Sequence, residues 1–181
     1  MELKLLAKFY RTLLSKDIRI INSKEVINLV FEKSNLYHLA GFQYLSDISF
    51  LQTKKIKNNT LKMLESNDNF IENIKESKFY NLKQRNGVYS IKQRVYYFNM
   101  ILWVIINDKI CIWINNDESK IKADYLLYYE YQGKYLQLFI RKDEGTKKYY
   151  PVSFFYSSND PKMRYKLKAI DVTIEISSRK Y

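Results

Sequence analysis

The chain has 181 residues, 46% of them hydrophobic and 16% aromatic, and a formal charge of +12 at pH 7. That length suits a single domain with a sizeable core, and the positive excess favours RNA, DNA, an acidic membrane face or an acidic protein as partner; a lysine-rich solvated surface is the plainer reading. One cysteine, Cys111, excludes an intrachain disulfide and a cysteine-rich zinc site, and one histidine, His38, excludes paired-histidine metal sites.

The first half of the chain reads mainly as helix. Leu3, Leu6, Phe9, Tyr10, Leu13 and Leu14 recur at three- and four-residue spacing, which predicts an amphipathic first helix. Ile18, Ile20 and Ile21 alternate, and Val26 to Phe31 reads as a second strand. Ser34 or Asn35 then caps a helix over Leu36–Ile48, in which Leu39, Phe42 and Leu45 form an apolar stripe with His38 at its edge. The helical period returns from Thr53 to Lys78 and is broken at Asn67-Asp68-Asn69, and a longer helix is expected from Val88 to Trp103 with Arg94 in its middle.

The second half changes to the period of strands. Lys109–Ile114, Lys122–Tyr131, Lys134–Arg141, Tyr149–Tyr156 and Ala169–Ile176 give five strands, with a two-residue hairpin signal at Gln132-Gly133. The expected fold is therefore α+β: N-terminal helices, mainly within residues 1–106, packed on a curved antiparallel sheet of about five strands within 107–181, all in one domain. The most apolar run, Met100–Ile106, is far shorter than the roughly 20 residues a bilayer-spanning helix needs. The first residues lack the apolar core of a signal peptide. A cytoplasmic protein without membrane association is expected.

Familiar enzyme signatures are absent: there is no phosphate-binding glycine loop, dinucleotide fingerprint or nucleophile elbow. No Asp-x-Asp pair accompanies the histidine, so neither a metal nor another cofactor is expected. Metal-free RNA cleavage suits what remains, because the nucleophile is the RNA's own 2′-hydroxyl. The protein supplies a base, an acid and cations for the phosphorane charge. His38 is the one side chain whose ordinary pKa lies near neutrality, although a lone histidine beside an apolar stripe also serves structure alone. Arg94 reads either as an exposed helix arginine or as a phosphate clamp. Lys122 reads as a phosphate ligand or as half of a solvated pair with Asp124. Ser153 and Phe155 are expected to share a strand face with Pro151, with Ser153 lining a pocket or facing solvent. Tyr125 and Tyr156 are candidates for contact with substrate through base stacking.

Several of these pieces occur together in one family. Phe31-Glu-Lys-Ser-Asn-Leu-Tyr-His38-Leu-Ala-Gly41-Phe-Gln-Tyr-Leu45-Ser-Asp47-Ile48 resembles its signature, an aromatic before His-Leu-x-Gly followed by Leu-x-Asp-Ile. Arg94 before Phe98, then Ile121–Tyr128, Leu138-Phe139 and Tyr150-Pro-Val-Ser153-Phe-Phe155, are similar to its later blocks. The resemblance is to the fourth phage-borne family of barnase/EndoU/colicin/RelE-like nucleases and covers roughly Phe31 to Ile176. It implies helices before a curved antiparallel sheet and a metal-independent ribonuclease of phage or mobile-element origin. Carried over, His38, Arg94 and Ser153 are the catalytic candidates, and Lys122 matches a basic position. Two other functions compete. One is a non-catalytic, anti-defence binding protein that grips an acidic host protein or nucleoprotein with its basic surface. The other is ADP-ribosyltransferase-like group transfer, for which a Glu pair is wanting because Glu175 stands alone.

Overall fold

A computed structural model describes residues 2–82, 90–107, 109–112, 121–161 and 167–179. The first helix, α1 (Leu3–Leu14), buries Leu3, Leu6, Ala7, Tyr10 and Leu13, the stripe its period dictates. Strands β1 (Lys16–Ile21) and β2 (Val26–Leu29) follow, then the short helix α2 (Asn35–Leu39). The helix expected over the whole histidine segment stops there, because Gly41 adopts φ 82°, a left-handed conformation that ends a helix and favours glycine. Phe42 and Leu45 are buried all the same, carried inward by a tight 3₁₀ turn over Phe42–Tyr44.

Helices α3 (Lys54–Ser66) and α4 (Asp68–Glu76) fall on either side of the Asn67 break. The Thr53 and Asn67 side chains accept hydrogen bonds from the Ile56 and Phe70 amides and so cap the two helices. The single long helix expected over 88–103 is instead two, α5 (Ile91–Tyr96) and α6 (Ile101–Ile106); Val88 and Tyr89 lie outside the described residues. A 3₁₀ turn at Phe98–Met100 separates them. Aromatic packing explains the interruption. Tyr97 lies 4.3 Å from the Tyr156 ring and 6.1 Å from that of Tyr131, while Phe98 turns inward against Phe9, Tyr10 and Phe154.

The remaining strands are β3 (Ile110–Ile112), β4 (Tyr125–Tyr131), β5 (Lys134–Lys142), β6 (Tyr149–Ser157), β7 (Lys168–Ile170) and β8 (Thr173–Ser178). Ile114, the expected end of the third strand, lies outside the described residues. The predicted hairpin is present, with Gln132 at φ 51° and Gly133 at φ 68°, the positive pair that a tight hairpin turn requires.

Among the described residues the sheet has eight strands rather than about five, in the order β7-β3-β4-β5-β6-β2-β1-β8. Two causes account for the difference. The N-terminal β1 and β2 join it, and the expected Ala169–Ile176 strand divides into β7 and β8 on opposite edges. Only Asp171 and Val172 connect those edges. Seven strand spacings laid flat would span about 34 Å, whereas the three Cα steps from Ile170 to Thr173 reach at most about 11 Å. The sheet must therefore curl. All pairings are antiparallel except β2 with β6, where Leu29 aligns with Tyr149 and the Val30 amide donates to the Tyr149 carbonyl at 2.8 Å.

The main core fills the space between the helices and one face of this sheet, with Leu136, Leu138, Phe154 and Ile140 among its buried strand residues. A smaller cluster lies on the other face, where Phe139 and Phe155 stack at 5.4 Å over Cys111, Ala123 and Leu126. Cys111 is fully buried, a small hydrophobe as its flanking isoleucines suggest. Among the described residues, no helix is long and apolar enough to cross a membrane.

Candidate functional site

A cleft of about 830 Å³ lies between the histidine segment and the near ends of β5 and β6. Tethering begins at the loop before α2. The Tyr10 hydroxyl of α1 donates to the Glu32 carbonyl at 2.6 Å, and the Glu32 amide donates to Asn35 Oδ1 at 2.8 Å. α2 packs on β6, and His38 and Ser153 both line the cleft. At the far wall, Asp143 Oδ1 accepts from the Thr146 amide and hydroxyl at 2.7 and 2.9 Å, holding the 143–148 loop in a turn.

Strand β6 carries a bulge at this point. Phe139 aligns with Ser153, but Ile140 aligns with Pro151, so the register steps past Val152. Residues paired across a ladder share a face. Ser153 and Phe155 therefore lie with Phe139, whereas Pro151 lies with the core-facing Ile140, contrary to the expectation that all three share one side. Bulges re-aim side chains, and here Pro151, Val152 and Ser153 all border the cleft.

Of the residues singled out from sequence, His38, Lys122 and Ser153 line this cleft together. Lys122 is exposed, His38 is exposed with its ring partly covered, and Ser153 is buried. The His38 ring stands edge-on to Tyr37 at 5.2 Å. Partial burial, reinforced by the Lys57 charge, lowers its pKa from the ordinary value, so at neutral pH the ring is the free base. Lys122 does not pair with Asp124, whose Oδ2 instead accepts the Lys142 amide at 2.6 Å and fastens the end of β5.

Arg94 does not reach the cleft wall. It is 2% exposed, and its guanidinium lies beneath the Gly41–Tyr44 turn, with Cζ 5.5 Å from the Tyr44 ring centroid. Nε and Nη1 find no hydrogen-bond acceptor among the described residues. Burial pulls its pKa down, and the Tyr44 hydroxyl partly offsets that pull. A buried cation without a carboxylate is costly, and the place it occupies is the underside of the turn whose upper side, Gln43 and Tyr44, borders the cleft.

Tyr125 and Tyr156 lie elsewhere. The Tyr125 and Tyr149 hydroxyls each donate to Glu25 at 2.6 Å, and Lys142 Nζ lies 3.6 Å from the same carboxylate. Burial pushes Glu25 upward, but the two phenols and the lysine carry its pKa below the ordinary value. Tyr156 packs against Tyr97 in the core. Asp47, part of the histidine block, accepts from the Ser77 hydroxyl at 2.7 Å and the Lys78 amide at 3.0 Å, so it braces the turn after α4.

Among the cleft residues that the sequence reading missed are Glu32, Tyr44, Arg141, Lys142 and Tyr150. The last three flank the Lys142–Lys148 loop, and their signal was the run of charge closing one strand beside the Tyr-Tyr-Pro opening the next. Glu32 and Tyr44 bracket His38 in the family-like block itself. Lys122, Arg141 and Lys142 face Glu32 and Asp143 in the cleft, a cationic balance that suits a phosphate. Asp143 is engaged by Thr146, whereas among the described residues the Glu32 carboxylate meets a weak contact from the Ser34 hydroxyl at 3.5 Å. Among the described residues, no group of three or more His, Cys, Asp and Glu side chains is arranged to hold a metal ion.

A family model described as phage-Barnase-EndoU-ColicinE5/D-RelE like nuclease4 matches residues 2–181. Comparison with curated proteins and with solved structures gives no match.

Proposed function

The chain belongs to the phage-borne family of barnase/EndoU/colicin/RelE-like nucleases, and on that premise we propose that it cleaves RNA without a metal ion by 2′-hydroxyl transesterification in the cleft of His38, Lys122 and Ser153. The observation that supports this reading is a cleft lined by His38 and Ser153 together with the cations Lys122, Arg141 and Lys142. Neutral His38 takes the proton from the 2′-hydroxyl, and the 2′-oxygen attacks phosphorus. The bond from phosphorus to the 5′-oxygen breaks, leaving a 2′,3′-cyclic phosphate and a 5′-hydroxyl. The departing oxygen takes its proton from a cleft donor, a role that falls to the Lys122 ammonium in this scheme.

Arg141 and Lys142 add positive charge for the pentavalent phosphate, and Ser153 orients a phosphate or ribose oxygen. Glu32 is the cleft carboxylate with room to assist His38 in proton transfer. Arg94 acts from below as a positioning residue that fixes the Gly41–Tyr44 turn. The cleft cations and the formal charge of +12 support RNA as the partner, met in a cytoplasmic setting.

The nature of the products tests this directly. A cleaved oligoribonucleotide should carry a 2′,3′-cyclic phosphate in the presence of EDTA, and a 2′-deoxy residue at the scissile position should block cleavage there. Products with 3′-hydroxyl ends, or cleavage that survives the 2′-deoxy substitution, would overturn the mechanism.

A further inference from the structure

A second cleft, of about 600 Å³, adjoins the first: both are bordered by Glu32, and Ser34 of the second neighbours Asn35 of the first. It is built from parts of the chain remote from the His38 cleft. Arg11 comes from α1, Lys33 and Ser34 from the loop before α2, Asn58 from α3, and Arg179 from the end of β8. Three of these side chains are cations and two more offer neutral hydrogen-bonding groups.

The chemistry of a polymer substrate gives this arrangement a meaning. A strand cleaved beside His38 continues in both directions from the scissile phosphate. One flank can occupy the wall of Lys122, Arg141 and Lys142. The other has to leave past Glu32, where the second cleft begins. We propose that this second cleft is an anion-binding subsite for the phosphates of the nucleotides on that flank; the assignment rests on the ribonuclease reading of the first cleft.

The charges there are free to exchange. Arg11 is forked onto Glu65, with Nε and Nη2 at 2.6 and 2.7 Å from its two oxygens, and Arg179 Nε lies 2.8 Å from Asp17. Both pairs are on the surface and open to solvent, so salt and competing anions weaken them. Each arginine keeps N–H groups outside these contacts that a phosphate can take. Lys33 is exposed and lines the same cleft, next in sequence to Glu32, which both clefts share. Glu32 at the junction repels phosphate, which places the phosphates to either side of it.

Anisotropy with 2′-O-methyl oligonucleotides, which cannot be cleaved by the proposed route, measures the subsite apart from catalysis. Wild type should bind a hexanucleotide much more tightly than a dinucleotide. Lys33→Glu should lower hexanucleotide affinity by about tenfold, reduce the slope of log K against log salt by about 0.7, as expected for one lost single-strand phosphate contact, and leave dinucleotide affinity unchanged. The control is Lys134→Glu, at the other end of β5 and about 26 Å along the strand from Lys142, which should bind as wild type. Equal losses from Lys33→Glu and Lys134→Glu, or affinity independent of length, would overturn the second cleft while leaving cleavage at His38 standing. A length gain lost in Lys33→Glu, in a protein that cleaves no RNA, would uphold the subsite and remove the ribonuclease. Failure of wild type to bind any of the oligonucleotides would overturn the subsite.

Discussion

Replacing Gly41 by alanine isolates the contact between the histidine block and the buried arginine. At φ 82° an added Cβ sits in the left-handed region, which costs a residue with a side chain about 1–2 kcal/mol. The same Cβ would lie 3.0 Å from Arg94 Nη1 and 3.1 Å from its Cδ and Cζ. Arg94 cannot easily move aside, being 2% exposed and held against Tyr44; overpacking of this kind costs about 1–3 kcal/mol. Against these stands a gain of about 0.4–1 kcal/mol from stiffening the unfolded chain. The net expectation is destabilisation by about 3 kcal/mol, read as a shift in urea midpoint at constant m. A double-mutant cycle separates the parts. With Arg94→Ala in place, the steric share disappears and the backbone share stays, so the two substitutions together should cost less than the sum of each alone, by about 1–3 kcal/mol. A Gly41→Ala protein within 0.5 kcal/mol of wild type, or strictly additive substitutions, would refute the placement of Arg94 beneath this turn.

Three further outcomes follow from the site. Because the His38 pKa is lowered, kcat/KM should fall as pH drops through a value below the ordinary 6.5 for histidine. The same shift makes the protonated ring unfavourable in the fold. His38 therefore contributes nothing unfavourable above its unfolded pKa, and the fold loses stability as pH falls through that value; a pH–rate profile and urea midpoints across the range check both. Glu25→Ala, which strips the Tyr125 and Tyr149 hydroxyls of their shared acceptor, should destabilise by about 2 kcal/mol, measured by urea unfolding. The lowered Glu25 pKa means that its contribution is complete above the unfolded carboxylate value and fades as pH falls through its folded one. Lys122→Ala should reduce kcat more than it raises KM, as steady-state kinetics would show, since its charge is needed most when the phosphorane forms.

Much of the architecture is written in short-range patterns. The Asn67 break, the Gln132-Gly133 hairpin and the α1 stripe depend on local chemistry, and each lies where its residues place it. The division of Ala169–Ile176 into β7 and β8 was not legible, because the alternation runs through Asp171 and Val172. It is the opposite edges of a curled sheet that capture the two halves. The break between α5 and α6 has the same origin, since Tyr97 answers to Tyr131 and Tyr156, far along the chain.

The site was legible where its residues belong to one block, as with His38, or announce themselves by charge, as with Lys122. A buried Arg94 could not be read from helical periodicity, which places a position on a face without saying what covers it. The Val152 bulge is a property of two strands together, and it moved Pro151 off the face of Ser153. The second cleft joins α1, α3 and Arg179 after β8, parts of the chain too far apart in sequence for a local pattern to bring together.

The central claim is that His38 performs metal-free proton transfer on RNA, and incubation of purified protein with total RNA in excess EDTA tests it most directly. Wild type should degrade the RNA, while a folded His38→Ala protein, matched in urea midpoint, should do so at least about 100-fold more slowly. Intact RNA with wild-type protein, or equal rates for the two proteins, would contradict it.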